Sequence, residues 1–346
     1  MKAEWKIFLE DAGAEFDNQT LVSFGNMERE RRAALGGDVM CELSRYKILA
    51  VVGEDAKTFL QGQVINDTSL LDDNHSQLSG FCTPKGRLIS SFRLFEQETS
   101  LFAIIPETLF ETTLNKLNLY VLRAKVQLGD ASNALIQLGV SGEKAEDQLK
   151  DHIGSLPENV NDVFQKDNII AIKVAEHRYH LLSDFENCKT LWSHLDVHCT
   201  PVGNQHWELL NIRDGLPEIT ESTTEAFIPQ MVNMGELGAI SFTKGCYTGQ
   251  EIVARTHYLG KQKRRMYRLL INSDTAPGAG DDLATDTSTD SQYIGTIVSA
   301  QPDAGNGYQA LAVVQIKSAE TEKLHLKNIE SEIEILELPY SFEEKK

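Results

Sequence analysis

The sequence predicts an α+β protein that ends in a small antiparallel β-barrel or sandwich. Two observations predict it. From residue 46 to about residue 182, strand-like runs alternate with amphipathic helical stretches, and several hairpin-like turns join them. Beyond Lys261 the helical spacing stops, and 266–271, 293–300, 308–316 and 329–338 follow as β-rich runs between polar, glycine-containing turns. A chain of 346 residues exceeds one average domain. The expected division is 1–135, an N-terminal α+β domain open to interleaving with the next; 136–260, a second α+β domain carrying a cysteine loop and helix; and 261–346, the barrel.

Residues 1–40 are polar and read as an irregular or helical lead-in, with Arg29, Glu30, Arg31 and Arg32 on a solvated helix face. The run 46–52 is a strand ended by Gly53. Glu54 and Asp55 open a helix with Ala56, Phe59, Leu60 and Val64 on one face. Residues 61–67 carry that helix to its end. Gly62 inside it costs about 1 kcal/mol relative to Ala, so it calls for close packing. Residues 79–89 read as strand, tight turn, strand: Pro84 presets the turn and Gly86 relieves it. A strand at 101–105, a helix at 106–119, and strand–helix segments near 134–140 and 169–182 follow. Near the C-terminus, Glu330, Glu332, Glu334 and Glu337 interleave with Ile329, Ile333, Ile335 and Leu336, a partial period-two pattern.

The formal net charge is −18. That argues against a protein that coats nucleic acid by neutralising phosphates, so direct nucleic-acid binding is not expected. The densest basic run is Lys261, Lys263, Arg264, Arg265 and Arg268. It reads as a solvated strand edge or helix end in preference to an anion or RNA site. No stretch is long and apolar enough to span a bilayer. The N-terminus lacks the apolar core of a secretion signal and the acid-poor, arginine-rich look of a transit peptide, so a cytoplasmic chain is expected. The five cysteines, Cys41, Cys82, Cys188, Cys199 and Cys246, fit neither a disulfide framework nor a zinc knuckle. Most are expected to be reduced core residues. No glycine-rich loop matches a dinucleotide fingerprint or a P-loop.

The most specific chemistry lies at Lys244-Gly245-Cys246-Tyr247-Thr248-Gly249-Gln250-Glu251. Thr248 followed by Glu251, Ile252 and Val253 is a capping-box pattern, with Thr248 as N-cap and Gly260 as a stop. Cys246 then lies just outside a helix N-terminus. The positive helix end and the Lys244 ammonium both favour a thiolate. Three readings stay open for Cys246: a small residue in a tight turn, a nucleophilic or redox thiol, or one ligand of a metal or cluster. A lone cysteine does not hold an iron–sulfur cluster, and His257 lies some three turns along the helix, poorly placed as a partner base. The setting favours a chemical role. Glu251 reads equally as a cap or as a ligand-facing acid. Arg255 fits an ordinary i,i+4 pair with it.

Lys85 and Arg87 occupy the hairpin turn, either solvated or facing an anionic ligand. Trp207 reads as core or as a flat stacking surface for a heteroaromatic ligand. The loops 213–219 and 227–233, with Gly215, Pro217 and Pro229, either pack a domain junction or line a ligand pocket.

Several of these segments together resemble the YgfZ family, which is related to the glycine-cleavage T-protein. The matching segments are 61–64, 213–219, 227–230, 238–242, 244–255 and 338–341. The cysteine octapeptide is the specific one, and the match runs from about Tyr46 to the C-terminus. The resemblance implies a three-domain, GcvT-like ring with two ferredoxin-like domains, the C-terminal barrel, and a central hole that binds tetrahydrofolate. It implies a folate-binding accessory role in assembling or repairing iron–sulfur enzymes, among them those that thiomethylate tRNA. Those enzymes or their assembly proteins would be transient partners. The family cysteine falls at Cys246, with Lys244 and Glu251 beside it. Folate contacts are expected at Trp207, Tyr46, Lys85, Arg87 and Gln250; no metal site is expected. A family tryptophan is Tyr46 here, a smaller stacking ring. Active T-proteins carry an acid that presents the folate. The turn 82–87 carries two cations instead, so aminomethyl transfer looks lost. Two alternatives remain: a folate-dependent one-carbon transferase, and a direct tRNA-binding module.

Overall fold

The computed structural model describes residues 1–18, 20–258, 260, 262–289, 292–305 and 307–342. Lys261 of the basic run lies outside the described residues. The chain forms two compact units, each assembled from separated stretches. The first comprises Met1–Phe59, Ser69–Gln77 and Arg93–Leu210; the second comprises Leu60–Thr68, Leu78–Phe92 and Asn211–Lys346.

The first unit contains a six-stranded sheet in the order Val163–Lys166, Ile169–Ala175, Arg178–Ser183, Ile136–Ser141, Val39–Glu42, Thr200–Val202. Its pairs are antiparallel except the last. Alternate side chains of a strand point to opposite faces, and the sheet is buried on both. Ile169 and Ala171 enter one core with Trp5, Leu149, Leu191 and Trp192, beneath the helices Ala3–Asp11, Glu143–Ile153 and Phe185–Leu195. Ile170, Ile172 and Val174 enter a second core with Tyr46, Trp207 and Leu210. The strand Tyr46–Val52, read from its apolar run, pairs with Ser100–Pro106 and Gln127–Asp130.

The polar lead-in is largely ordered. It forms the helices Ala3–Asp11 and Met27–Gly36 and a small hairpin, Glu15–Asp17 with Thr20–Ser23. Its charge run is not all solvated: Glu30 is only 2% exposed. One carboxylate oxygen accepts from Ser23 Oγ at 2.9 Å and Phe24 N at 2.7 Å; the other accepts from Gly203 N at 3.0 Å. A buried carboxylate is tolerated because backbone donors satisfy it.

In the second unit six strands curl into a nearly closed antiparallel barrel, ordered Leu324–Leu326, Asp282–Thr285, Gly295–Pro302, Tyr308–Gln315, Arg264–Asn272, Glu332–Leu336. Leu269, Ile271, Ile297, Ala312 and Val314 fill its core. The Glu/Ile alternation becomes the edge strand Glu332–Leu336, with Glu332 and Glu334 facing out. Charges on an edge discourage pairing with another chain. Asp282–Thr285 and Leu324–Leu326 had no periodic signal, being too short for one. Gly62 falls just past the helix Ala56–Gln61, so it carries no helix-interior cost.

Candidate functional site: an anchored thiol loop

The cysteine loop belongs wholly to the second unit, and its anchor is Lys244. This side chain is buried, and its ammonium donates to Val64 O at 2.8 Å and Asn66 O at 2.7 Å. Burial pulls the ammonium down to about 8, with the Asp67 carboxylate opposing. Its charge also lies 5.2 Å from the Tyr247 ring centre. Lys244 therefore ties the loop to 64–66, a structural task beyond the thiolate support expected of it.

The anchor point is itself tightly held. Asn66 Nδ2 donates to Leu78 O at 2.9 Å and to Gly238 O at 3.0 Å. Ser241 N donates to Ile65 O at 3.0 Å. Gln61 Oε1 accepts from Thr68 N, and Gln61 Nε2 donates to Asp67 Oδ1, both at 2.8 Å. The segment 61–67, read as a helix end and cap, thus forms the floor on which the loop is mounted.

The loop's far side meets the Lys85 hairpin. Gly249 has φ +87°, and a Cβ there would stand 2.5 Å from Thr83 O. Gly86 has φ +68°, and a Cβ there would stand 2.9 Å from Ile252 Cβ. Only glycine accommodates both the left-handed backbone and the close approach. Gln250 Nε2 reaches back to Gly245 O at 3.4 Å, across the cysteine. The helix is Gln250–Tyr258, beginning later than a Thr248 cap predicts, and Val253 N bonds Gly249 O. The reciprocal Glu251 cap bond and the Glu251–Arg255 pair do not form among the described residues. Glu251 stays exposed in the first turn, where the helix dipole favours an acid.

Cys246 is the exposed cysteine of the five; Cys41, Cys82, Cys188 and Cys199 are buried. Burial pushes Cys82, Cys188 and Cys199 up to about 12, so these remain inert thiols at neutral pH. An accessible sulfur on an anchored loop can act as a nucleophile or as one soft metal ligand. Among the described residues no group of three or more His, Cys, Asp or Glu is placed to hold a metal ion.

Of the other expected site residues, Lys85 is exposed and Arg87 half-buried, its guanidinium donating to Ala226 O. Both stand in the second unit. Tyr46 and Trp207 stand in the first, within one core. Trp207 is 2% exposed and Tyr46 9%. The Arg178 guanidinium lies 4.2 Å from the Trp207 ring centre, and a Cβ on Gly139 would stand 2.5 Å from Trp207 Cζ3. Tyr46 O accepts from Gln137 Nε2 at 2.7 Å, and Gln137 Oε1 meets His180 Nε2 at 3.1 Å. Burial, reinforced by Arg93 and Arg178, pulls His180 down to about 3. This core holds these two aromatic rings and two guanidinium groups, and its rings are covered. Sequence reasoning missed Arg178 and His180; their one signal was an arginine and a histidine inside a strand-like run.

No protein-family model matches the chain. It is 32% identical over 310 residues to the tRNA-modifying protein YgfZ of Enterobacter sp. (strain 638), covering 88% of this chain and 94% of that one. Against the protein of the same name from Hamiltonella defensa the identity is 31% over 295 residues, covering 82% and 88%. Among solved structures, the glycine cleavage system aminomethyltransferase T of Bartonella henselae superposes with a TM-score of 0.72 at 16% identity, covering 97% of this chain and 96% of that one. The two share a fold.

Proposed function

The chain belongs to the YgfZ family, and from that premise we propose that it is a cytoplasmic folate-binding accessory protein that supports iron–sulfur enzymes and, through them, tRNA modification. The observation that carries this reading is the setting of Cys246, an exposed thiol on a loop that a buried ammonium holds in place. The relatives' name supports the tRNA end of the reading. The folate end is what the segments resembling the YgfZ family and the glycine-cleavage T-protein imply, and the chain shares its fold with an aminomethyltransferase T.

Tetrahydrofolate would bring a one-carbon carrier with a flat pteridine ring. Tyr46 and Trp207 are its nominated aromatic contacts. Because both rings are covered, binding requires Arg178 to shift from the Trp207 face. Gln250, Lys85 and Arg87 are further nominated contacts. Cys246 presents its sulfur; Lys244 and Gln250 hold the loop that carries it. Transient partners are iron–sulfur enzymes or their assembly proteins.

Titration with tetrahydrofolate, followed by tryptophan fluorescence, tests the reading. Wild type should give a saturable change, Trp207→Phe should lose it, and Cys246→Ala should keep it. No saturable change in wild type removes folate from the account.

A further inference from the structure

The formal charge of the whole chain hides a local run of opposite sign. Between Ile252 and Arg268 there is no Asp or Glu and there are six Lys or Arg, in a chain of net charge −18. On the helix Gln250–Tyr258 the exposed positions Glu251, Arg255 and Tyr258 recur at i, i+4, i+7 and so share one face. Tyr258 is 64% exposed. Its ring meets His257 edge-on at 4.8 Å, and His257 stacks on Phe242 at 3.6 Å between ring centres. The packed pair beside Tyr258 backs an outward-facing plate.

Arg255 lies one turn before that plate on the same face, and further cations lie on segments next to the helix. The Lys85 turn packs on Ile252 through Gly86. Arg264 lies over Tyr293 at 4.2 Å, and Arg87 acts on the same tyrosine. The side chains of Lys85, Arg255 and Lys263 are exposed and make no hydrogen bond or ion pair among the described residues. Unengaged cations beside an exposed aromatic plate match the two demands of an unpaired strand: phosphates meet the charges and a base stacks on the ring. A duplex keeps its bases inside and has no use for the plate.

We propose that the exposed face of the helix Gln250–Tyr258, with the Lys85 turn and the Lys263–Arg264 entry to the barrel, binds single-stranded RNA such as an unpaired loop. The inference rests on the tRNA-modification reading and adds a direct contact to it. Net charge alone argued against such contact, but the surface is local and small.

The test is fluorescence anisotropy with a labelled oligouridine RNA of about 12 nucleotides, within the usual span of single-strand sites, and a duplex RNA of equal length. The full chain should bind the single strand more tightly than the duplex, with affinity falling between about 50 and 200 mM salt. Tyr258→Ala should weaken binding about tenfold, the loss of one stacked base. Arg255→Gln with Lys263→Gln should lower the log–log salt slope by roughly 1 to 2. Equal affinity for duplex, or unchanged binding in these variants, overturns the proposal. So does absence of binding at low salt; if the variants then still lose tRNA thiomethylation in cells, the face docks a protein. In that case the functional reading stands, because Cys246→Ala tests it separately.

Discussion

The two units handle buried charge differently. The first buries Glu30, Glu42, Arg93, Lys173, Arg178 and two histidines. Those with described partners serve its framework: Glu30 gathers backbone donors, and Arg93 donates to Ser76 Oγ and Asn161 Oδ1. In the second unit Lys244 is the single buried charged side chain among the described residues. It serves a loop whose notable feature is an exposed thiol. A buried charge costs stability unless well satisfied, so a lone one marks a place where position matters more than economy.

The contrast can be broken most forcefully at Glu30. Glu30→Ala leaves the half-buried Phe24 N and the buried Gly203 N without an acceptor, and should lower unfolding free energy by about 3 kcal/mol in urea titration. Lys244→Met removes two bonds but also a desolvated charge. It should lower stability by about 1 to 2 kcal/mol. Its main effect should be local, faster amide hydrogen exchange across residues 244–249, the loop it anchors. If Lys244→Met lowers stability as much as Glu30→Ala does, the contrast is wrong.

Acid should expose the first unit selectively. Burial pulls His180 down to about 3 and His206 to about 4, whereas an unfolded histidine takes up a proton at about pH 6.5. The unfolded chain therefore binds more protons below that pH, and stability is lost as pH falls. Glu42 opposes this: burial holds it up to about 7, so its contribution is gained as pH falls towards its ordinary carboxyl range. Two histidines against one carboxyl leave a net loss of about 1.4 kcal/mol per pH unit between roughly pH 6.5 and 4.5. His180→Gln should cancel that slope in urea titrations run across the window. An unchanged slope contradicts the buried neutral imidazole. Gly249→Ala should cost about 1 to 2 kcal/mol, from the left-handed backbone and the Thr83 contact, read as a lowered melting temperature.

What the sequence showed was what has a period or a fixed local spacing. The strand Tyr46–Val52 and the Glu/Ile edge strand were visible through alternation. The hairpin turn was visible through Pro84 and Gly86, and the thiol loop through its residue types. The destination of Lys244 was not visible, because Val64 and Asn66 lie about 180 residues away in sequence. Nor was the burial of Glu30 inside a charge run, since its donors come from residues as distant as Gly203. The capping box at Thr248 and Glu251 shows the reverse error. The helix starts at Gln250, Gly249 takes a left-handed backbone against the hairpin, and the local motif is unused.

The central claim is that the anchored loop exists to present the Cys246 sulfur. Its most direct test is the content of thiomethylated nucleosides in tRNA from cells carrying wild type or Cys246→Ala as the sole copy, measured by mass spectrometry, with matched melting curves for the purified proteins. The account predicts a loss of thiomethylation at unchanged melting temperature. Full thiomethylation with Cys246→Ala would contradict it.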